Sequence, residues 1–263
     1  MTRPRVLPST TSHKHEPLLP TLDVFARLGL LDLDLNLGHL VEGGMPADVV
    51  ARALGERGQR AWIVSGGWCD FFHVAPQIDE TFRSVDRQVT IAHDLGVSML
   101  RLFYGRLERS GWSPAALDAA AGNLSRLVDR HPDITFVMEN HGRGASSDPE
   151  ACAAILARVG RATVRMNFDP INFEHAGVDS RMALERLRPF IGHVHLKGSV
   201  AGECAEFGVG DVDLTPVLES LIGGGYAGSF TVEYEGQFDR TVRLYESMRR
   251  ARSAIESLDR LRT

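Results

Sequence analysis

Cysteine is scarce. Only Cys69, Cys152 and Cys204 occur in 263 residues, an odd number at wide spacing with no C-x-x-C pair. That excludes a disulfide framework and points to a reducing, cytoplasmic compartment. Each thiol is expected to be buried and inert. Long apolar runs are missing too. No stretch approaches the roughly 20 residues that span a bilayer. The leading MTRPRVLPSTTSHKHEP is basic but has no apolar core, so no signal peptide is expected. Surplus positive charge is missing: 29 Lys and Arg stand against 34 Asp and Glu, a net charge of −5. A nucleic-acid binder needs a basic face to displace counterions from phosphates, so no nucleic-acid partner is expected. A glycine-rich phosphate loop is also absent after the first β-like run, where 12–17 read SHKHEP. This disfavours a doubly wound dinucleotide-binding sheet.

What is present is an ordinary globular composition, 43% hydrophobic and 24% charged, at a length that fits one α/β barrel. Short β-like runs fall at 6–11, 31–37, 61–65, 99–104, 134–140, 163–169, 191–196 and 229–234. Amphipathic helical runs lie between them at 47–58, 77–95, 114–130, 149–159, 181–187 and 214–222, with a last one at 240–261. Eight such units average about 33 residues each, a normal βα size. Ser113-Pro114 and Asp148-Pro149 read as N-cap plus first-turn proline. Gly96 reads as a helix-ending glycine. His131-Pro132 stops a helix, because proline disfavours helical geometry at the residue before it. No linker-like shift in composition divides the chain. The expectation is α/β, a single (β/α)8 TIM barrel over 1–263, least regular in its first ten to fifteen residues.

In such barrels the active site forms where strands end at the C-terminal face. The second half of the chain supplies ionisable residues there. FVMENHG carries Glu139 and His141, and VRMNFDPIN carries Asp169 and Asn172. GHVHLKG carries His193, His195 and Lys197, and FTVEYEG carries Glu233 and Glu235. Glu139, Asp169, His195 and Glu233 follow one another at intervals of 30, 26 and 38 residues, each about one βα unit. Three carboxylates and an imidazole brought together would repel unless a divalent cation lay among them. An oxygen-rich set with one imidazole suits Mn2+ best, or Mg2+ or Co2+, and Zn2+ less well. His193 lies deeper along its strand and reads as structural.

These segments resemble the xylose-isomerase-like TIM-barrel superfamily, the sugar phosphate isomerase/epimerase group. The carriers are MEN at Glu139, DPIN from Asp169, GHVHLKG around His195, FGVGDVDL at 207–214 and VEYEG at Glu233. The resemblance implies one metal held by Glu139, Asp169, His195 and Glu233, with Glu139 and Glu233 also moving the substrate proton. It departs from the DNA-repair branch, whose sixth strand carries D-x-x-H where this chain has Asn172. That argues against abasic-site cleavage. The resemblance implies a small carbohydrate substrate and allows a homodimer.

The chemistry expected is abstraction of a proton beside a carbonyl, through a metal-stabilised enediolate. Return of the proton to the opposite face would epimerise the carbon. Return to the neighbouring carbon would isomerise the substrate, and loss of a β-hydroxyl would make the enzyme a lyase or dehydratase. A barrel without activity, serving as a subunit or binding module, is the third reading. The four ionisable residues speak against it, because a pure scaffold has no reason to keep them together. His141, Lys197, Arg101 and Asn172 are candidate substrate contacts. Trp68 and Phe72 read as packing near the pocket. The acidic 203–213 segment argues for an unphosphorylated substrate.

Overall fold

The computed structural model describes residues 4–108, 111–142 and 144–260. Eight strands form one sheet in the order β1 (Arg5–Pro8), β10 (Ser229–Val232), β7 (Ile191–Leu196), β6 (Val164–Phe168), β5 (Thr135–Glu139), β4 (Met99–Phe103), β3 (Arg60–Ser65) and β2 (Asp32–Asn36), and helices alternate with them along the chain. This is the α/β TIM-barrel class. Contacts divide the chain into two compact units, Met1–Trp62 with His193–Thr263, and Ile63–Gly192.

In the first unit, β1 (Arg5–Pro8) runs parallel to β10 (Ser229–Val232), and β10 runs parallel to β7 (Ile191–Leu196). The register sets Thr231 opposite His195. In β2 (Asp32–Asn36), Asp34 bridges to Ser9. The expected strand at 6–11 is shorter, because Ser9 caps a tight turn at Thr10–His13 through its hydroxyl. A helix the sequence reading missed, α1 (Leu18–Arg27), buries Leu18, Thr21, Leu22 and Phe25, one helical stripe. Its Pro20 obscures the pattern, yet proline is tolerated in a first turn, where the missing N–H has no helical partner anyway. The unit also holds α2 (Gly38–Val41), α3 (Ala47–Glu56), α9 (Thr215–Gly223) and α10 (Arg240–Arg260). The expected end of the last helix, Leu261, lies outside the described residues.

After β7, the strands β8 (Gly198–Val200) and β9 (Glu203–Ala205) form an antiparallel hairpin. Its turn residues, Ala201 and Gly202, have φ of 50° and 82°, the left-handed geometry of a two-residue hairpin. Ala-Gly is a poor sequence signal for that turn, so the hairpin was not anticipated. Gly210 locks the following segment. Its φ is 116°, and a Cβ there would lie 1.8 Å from the Ser199 carbonyl oxygen. We expect Gly210→Ala to cost at least about 1–3 kcal/mol, read as a lower midpoint of thermal unfolding. Gly208→Ala should cost less, since its Cβ would meet only the Arg250 side chain at 3.4 Å.

In the second unit, β3 (Arg60–Ser65, from Ile63 onward), β4 (Met99–Phe103), β5 (Thr135–Glu139) and β6 (Val164–Phe168) pair in parallel in that order. Phe103 lies opposite Glu139, and Glu139 opposite Asn167. Leu100, Leu102, Phe136, Met138, Met166 and Phe168 are fully buried. Each contributes about 1.5–3 kcal/mol relative to exposure. The helices are α4 (Gln77–Asp94), α5 (Pro114–Arg130), α6 (Pro149–Val159), α7 (Pro170–His175) and α8 (Ser180–Leu187). Ser113 and Asp148 cap α5 and α6 by accepting from the Ala116 and Ala151 amides, as their sequences indicate.

Candidate functional site

In the second unit, Glu139 is the last residue of β5 and only 3% exposed. Its Oε2 lies 3.1 Å from Arg101 Nε, and its Oε1 accepts from Asn172 Nδ2 at 3.3 Å. Arg101 also donates to the Gly66 carbonyl at 3.1 Å, which fixes the guanidinium. The guanidinium thus places a buried positive charge beside the Glu139 carboxyl. Asp169 follows β6 and is fully buried. Its Oδ1 accepts from the Asn172 amide at 2.9 Å, which makes it the N-cap of α7. Glu139 and Asp169 offer carboxylate oxygens within 4.8 Å of one another.

The chain between these acids is held by Asn140. Its amide nitrogen donates to the Asp169 carbonyl at 2.8 Å, and its amide oxygen accepts from the Asp169 N–H at 2.9 Å. The Asn140 carbonyl in turn accepts from Asn172 Nδ2 at 2.9 Å. Asn140 and Asn172 therefore set the geometry of both acids. The side chain of Asn172, a substrate contact in the sequence reading, is engaged with Glu139 and Asn140. His141 stands exposed beside Phe103, with ring centroids 5.0 Å apart. Phe103 stacks on Trp68 at 5.4 Å and 28°. Trp68 is 45% exposed, and the Arg106 guanidinium lies over its ring, 4.9 Å from the centroid.

In the first unit, His195 lies on β7 and Glu233 directly follows β10. The Glu233 N–H donates to the Leu196 carbonyl at 3.0 Å, which ties the two strand ends together. His195 Nδ1 is 3.5 Å from Glu233 Oε2, and its Nε2 is 3.6 Å from Asp34 Oδ2. Lys197 Nζ lies 4.0 Å from the same Glu233 oxygen. All four side chains are buried. Two ligands of one cation at about 2.1 Å each are at most about 4.2 Å apart. The His195–Glu233 spacing fits that limit, and the donor set, carboxylates with one imidazole, suits a hard divalent ion. His193 is structural, as its depth in the strand implied. Its Nδ1 and Nε2 meet the Ser229 and Thr231 hydroxyls at 2.7 and 2.9 Å.

Two contributors escaped the sequence reading, Asn140 and Asp34. Asn140 had a signal, since it sits between Glu139 and His141 in MENH. Asp34 stands mid-strand, where no strand-end position marks it. Cys69 and Cys152 are buried as expected, whereas Cys204 is only half-buried. Burial pushes Cys69 up to about 12 and Cys204 up to about 11, so neither forms much thiolate near neutrality. Among the described residues no helix is long and apolar enough to cross a membrane.

Residues 37–263 match the family model described as the xylose isomerase-like TIM barrel. No curated protein sequence matches the chain. Among solved structures, it is similar to an L-ribulose 3-epimerase, with 14% identity, 99% of this chain and 96% of that one covered, and a TM-score of 0.83. It is similar to the IOLI protein with a bound zinc atom, at 14% identity, coverage of 98% and 99%, and a TM-score of 0.79. It is also similar to the probable 3-DHS dehydratase AsbF of Bacillus anthracis, at 14% identity, coverage of 95% and 98%, and a TM-score of 0.76. At these identities the likeness establishes the fold.

Proposed function

Because the chain belongs to the xylose isomerase-like TIM-barrel family, we propose that it is a divalent-metal-dependent isomerase or epimerase of a small sugar or related polyhydroxy carbonyl compound. One observation carries the reading. Glu139 ends its strand, Asp169 and Glu233 directly follow theirs, His195 is the last residue but one of its strand, and all four are buried. Arg101 beside Glu139 and Lys197 beside Glu233 offset part of the cost of burying three carboxylates, and a divalent cation would offset more of it. In this reading the four side chains hold one ion, Mn2+ first, with Mg2+ or Co2+ next. Such an ion, when bound, polarises the carbonyl of a chelating substrate.

The chain's own residues carry the proton. One of Glu139 and Glu233 removes the hydrogen beside the carbonyl, leaving an enediolate, and the other returns it. Delivery to the opposite face of the same carbon inverts it, and delivery to the adjacent carbon isomerises the substrate. Arg101, 3.1 Å from Oε2, orients the Glu139 carboxyl. His141, beside Phe103 and Trp68, binds substrate oxygens while the aromatic faces exclude water. The three thiols fit a reducing, cytoplasmic setting.

A second reading, a lyase or dehydratase, is favoured by Lys197. Its ammonium lies 4.0 Å from Glu233 Oε2, placed to protonate a departing β-hydroxyl. A ketose and keto-polyol panel in deuterated water with Mn2+ separates the two. Deuterium incorporation without dehydration supports the isomerase or epimerase, and loss of water supports the lyase. A purified chain that binds no divalent ion and turns over no member of the panel refutes both.

A further inference from the structure

We propose that Asp34 is the positioning residue of His195. Its carboxylate keeps the imidazole proton on Nε2 and so presents the Nδ1 lone pair toward Glu233. This deepens the metal reading and rests on it. Each ring nitrogen of His195 faces a different carboxylate, Nε2 at 3.6 Å from Asp34 and Nδ1 at 3.5 Å from Glu233. A neutral imidazole carries one donor and one acceptor, and an ionised carboxylate only accepts. In the neutral ring one nitrogen therefore turns its lone pair toward a carboxylate, a pairing that a cation between them makes favourable.

The backbone decides which side that is. Asp34 is the central residue of β2, fixed by strand pairing and by its bridge to Ser9, and wholly buried. Glu233 lies beyond the end of β10, at the strand terminus where barrel sites form. The cation belongs on the Glu233 side, and the proton on the Asp34 side. A carboxylate behind a metal-binding histidine fixes both tautomer and ring orientation.

His193 completes the argument. Asp34, His193 and His195 together offer ligand atoms within 4.8 Å of one another and could be taken for a second metal group. Both His193 nitrogens, however, meet strand hydroxyls, and its ring packs edge-on against His195, at 5.4 Å and 86°. His193 braces the imidazole that Asp34 orients. The triple is a support for the site and not a second one.

The test reads the ring nitrogens of His195 by 15N NMR in the full chain, metal-free at alkaline pH and again loaded with Zn2+. A proton on Nε2 is expected in both states, and a proton on Nδ1 in either overturns the proposal. Asp34→Asn removes the charge while keeping the shape. Its Mn2+ dissociation constant, measured by equilibrium dialysis, should rise by about 10–100-fold, with part of the affinity restored in Asp34→Glu. An Asp34→Asn protein that folds and binds Mn2+ within about threefold of the unaltered chain overturns the proposal, being below the effect such partners exert. Should that variant not fold, the tautomer in the unaltered chain decides alone. If the unaltered chain binds neither Mn2+ nor Zn2+, the metal reading fails. The metal-free tautomer then still decides for or against the role of Asp34.

Discussion

Glutamine at Glu139 or at Glu233 is expected to lower turnover by at least about 10²–10⁴-fold, the range of a lost general acid or base. The fold should survive both changes. A glutamine at 139 keeps one oxygen that can accept from Asn172 Nδ2, and Arg101 stays anchored by its bond to the Gly66 carbonyl. Its amide oxygen can still coordinate a cation, though more weakly. It cannot take a proton from carbon at neutral pH. The contrast is His195→Asn, which should first weaken metal binding and regain rate at high Mn2+. The measurement is turnover at saturating Mn2+, with metal occupancy confirmed for each variant. If saturating metal restores full rate to either glutamine variant, that glutamate is a ligand only. Lys197 or His141 would then have to move the proton.

Alanine at Asn140 should be the most damaging single truncation around the acids of the second unit. The amide bonds both the N–H and the carbonyl of Asp169, and all of these groups are fully buried. Leaving a buried polar group unsatisfied costs about 1–3 kcal/mol, so losing both bonds costs about 2–6 kcal/mol. For a chain of this size the unfolding midpoint should fall by roughly 5–20 °C. Metal affinity should fall as well, because the Asp169 backbone loses its tether. Asn172→Ala gives the comparison. It leaves the Asn140–Asp169 pair intact and removes only the donor to Asn140 O and Glu139 Oε1. Thermal unfolding and Mn2+ dialysis of the two variants would test the ranking. An Asn140→Ala protein as stable as Asn172→Ala would show that water replaces both bonds.

Much of this protein is legible in one dimension. The period of the hydrophobic pattern separates strands from helices, because side chains alternate on a strand and recur every 3.6 residues on a helix. Caps such as Ser113 and Asp148 act within three residues of their partners, so their effect is written locally. The recurrence of Glu139, Asp169, His195 and Glu233 is legible for the same reason, since each βα unit has a near-constant length. Where a local signal was weak, the reading failed locally. Pro20 concealed α1, and Ala201-Gly202 concealed the hairpin after β7.

The partners of the acids and of the imidazole belong to the tertiary structure. DLDLN at 32–36 alternates as a half-solvated strand would, and alternation says which residues share a face but not whether that face meets water. Folding put Asp34 in the interior, beside a histidine 161 residues away in sequence. The same holds for Arg101 beside Glu139 and for Asn140 clasping the backbone of Asp169. Hydrogen bonds and ion pairs of this kind depend on distances of a few ångströms between groups far apart in the chain. No period or spacing encodes those distances. They are set when strands register and buried polar groups find the partners that offset their lost water.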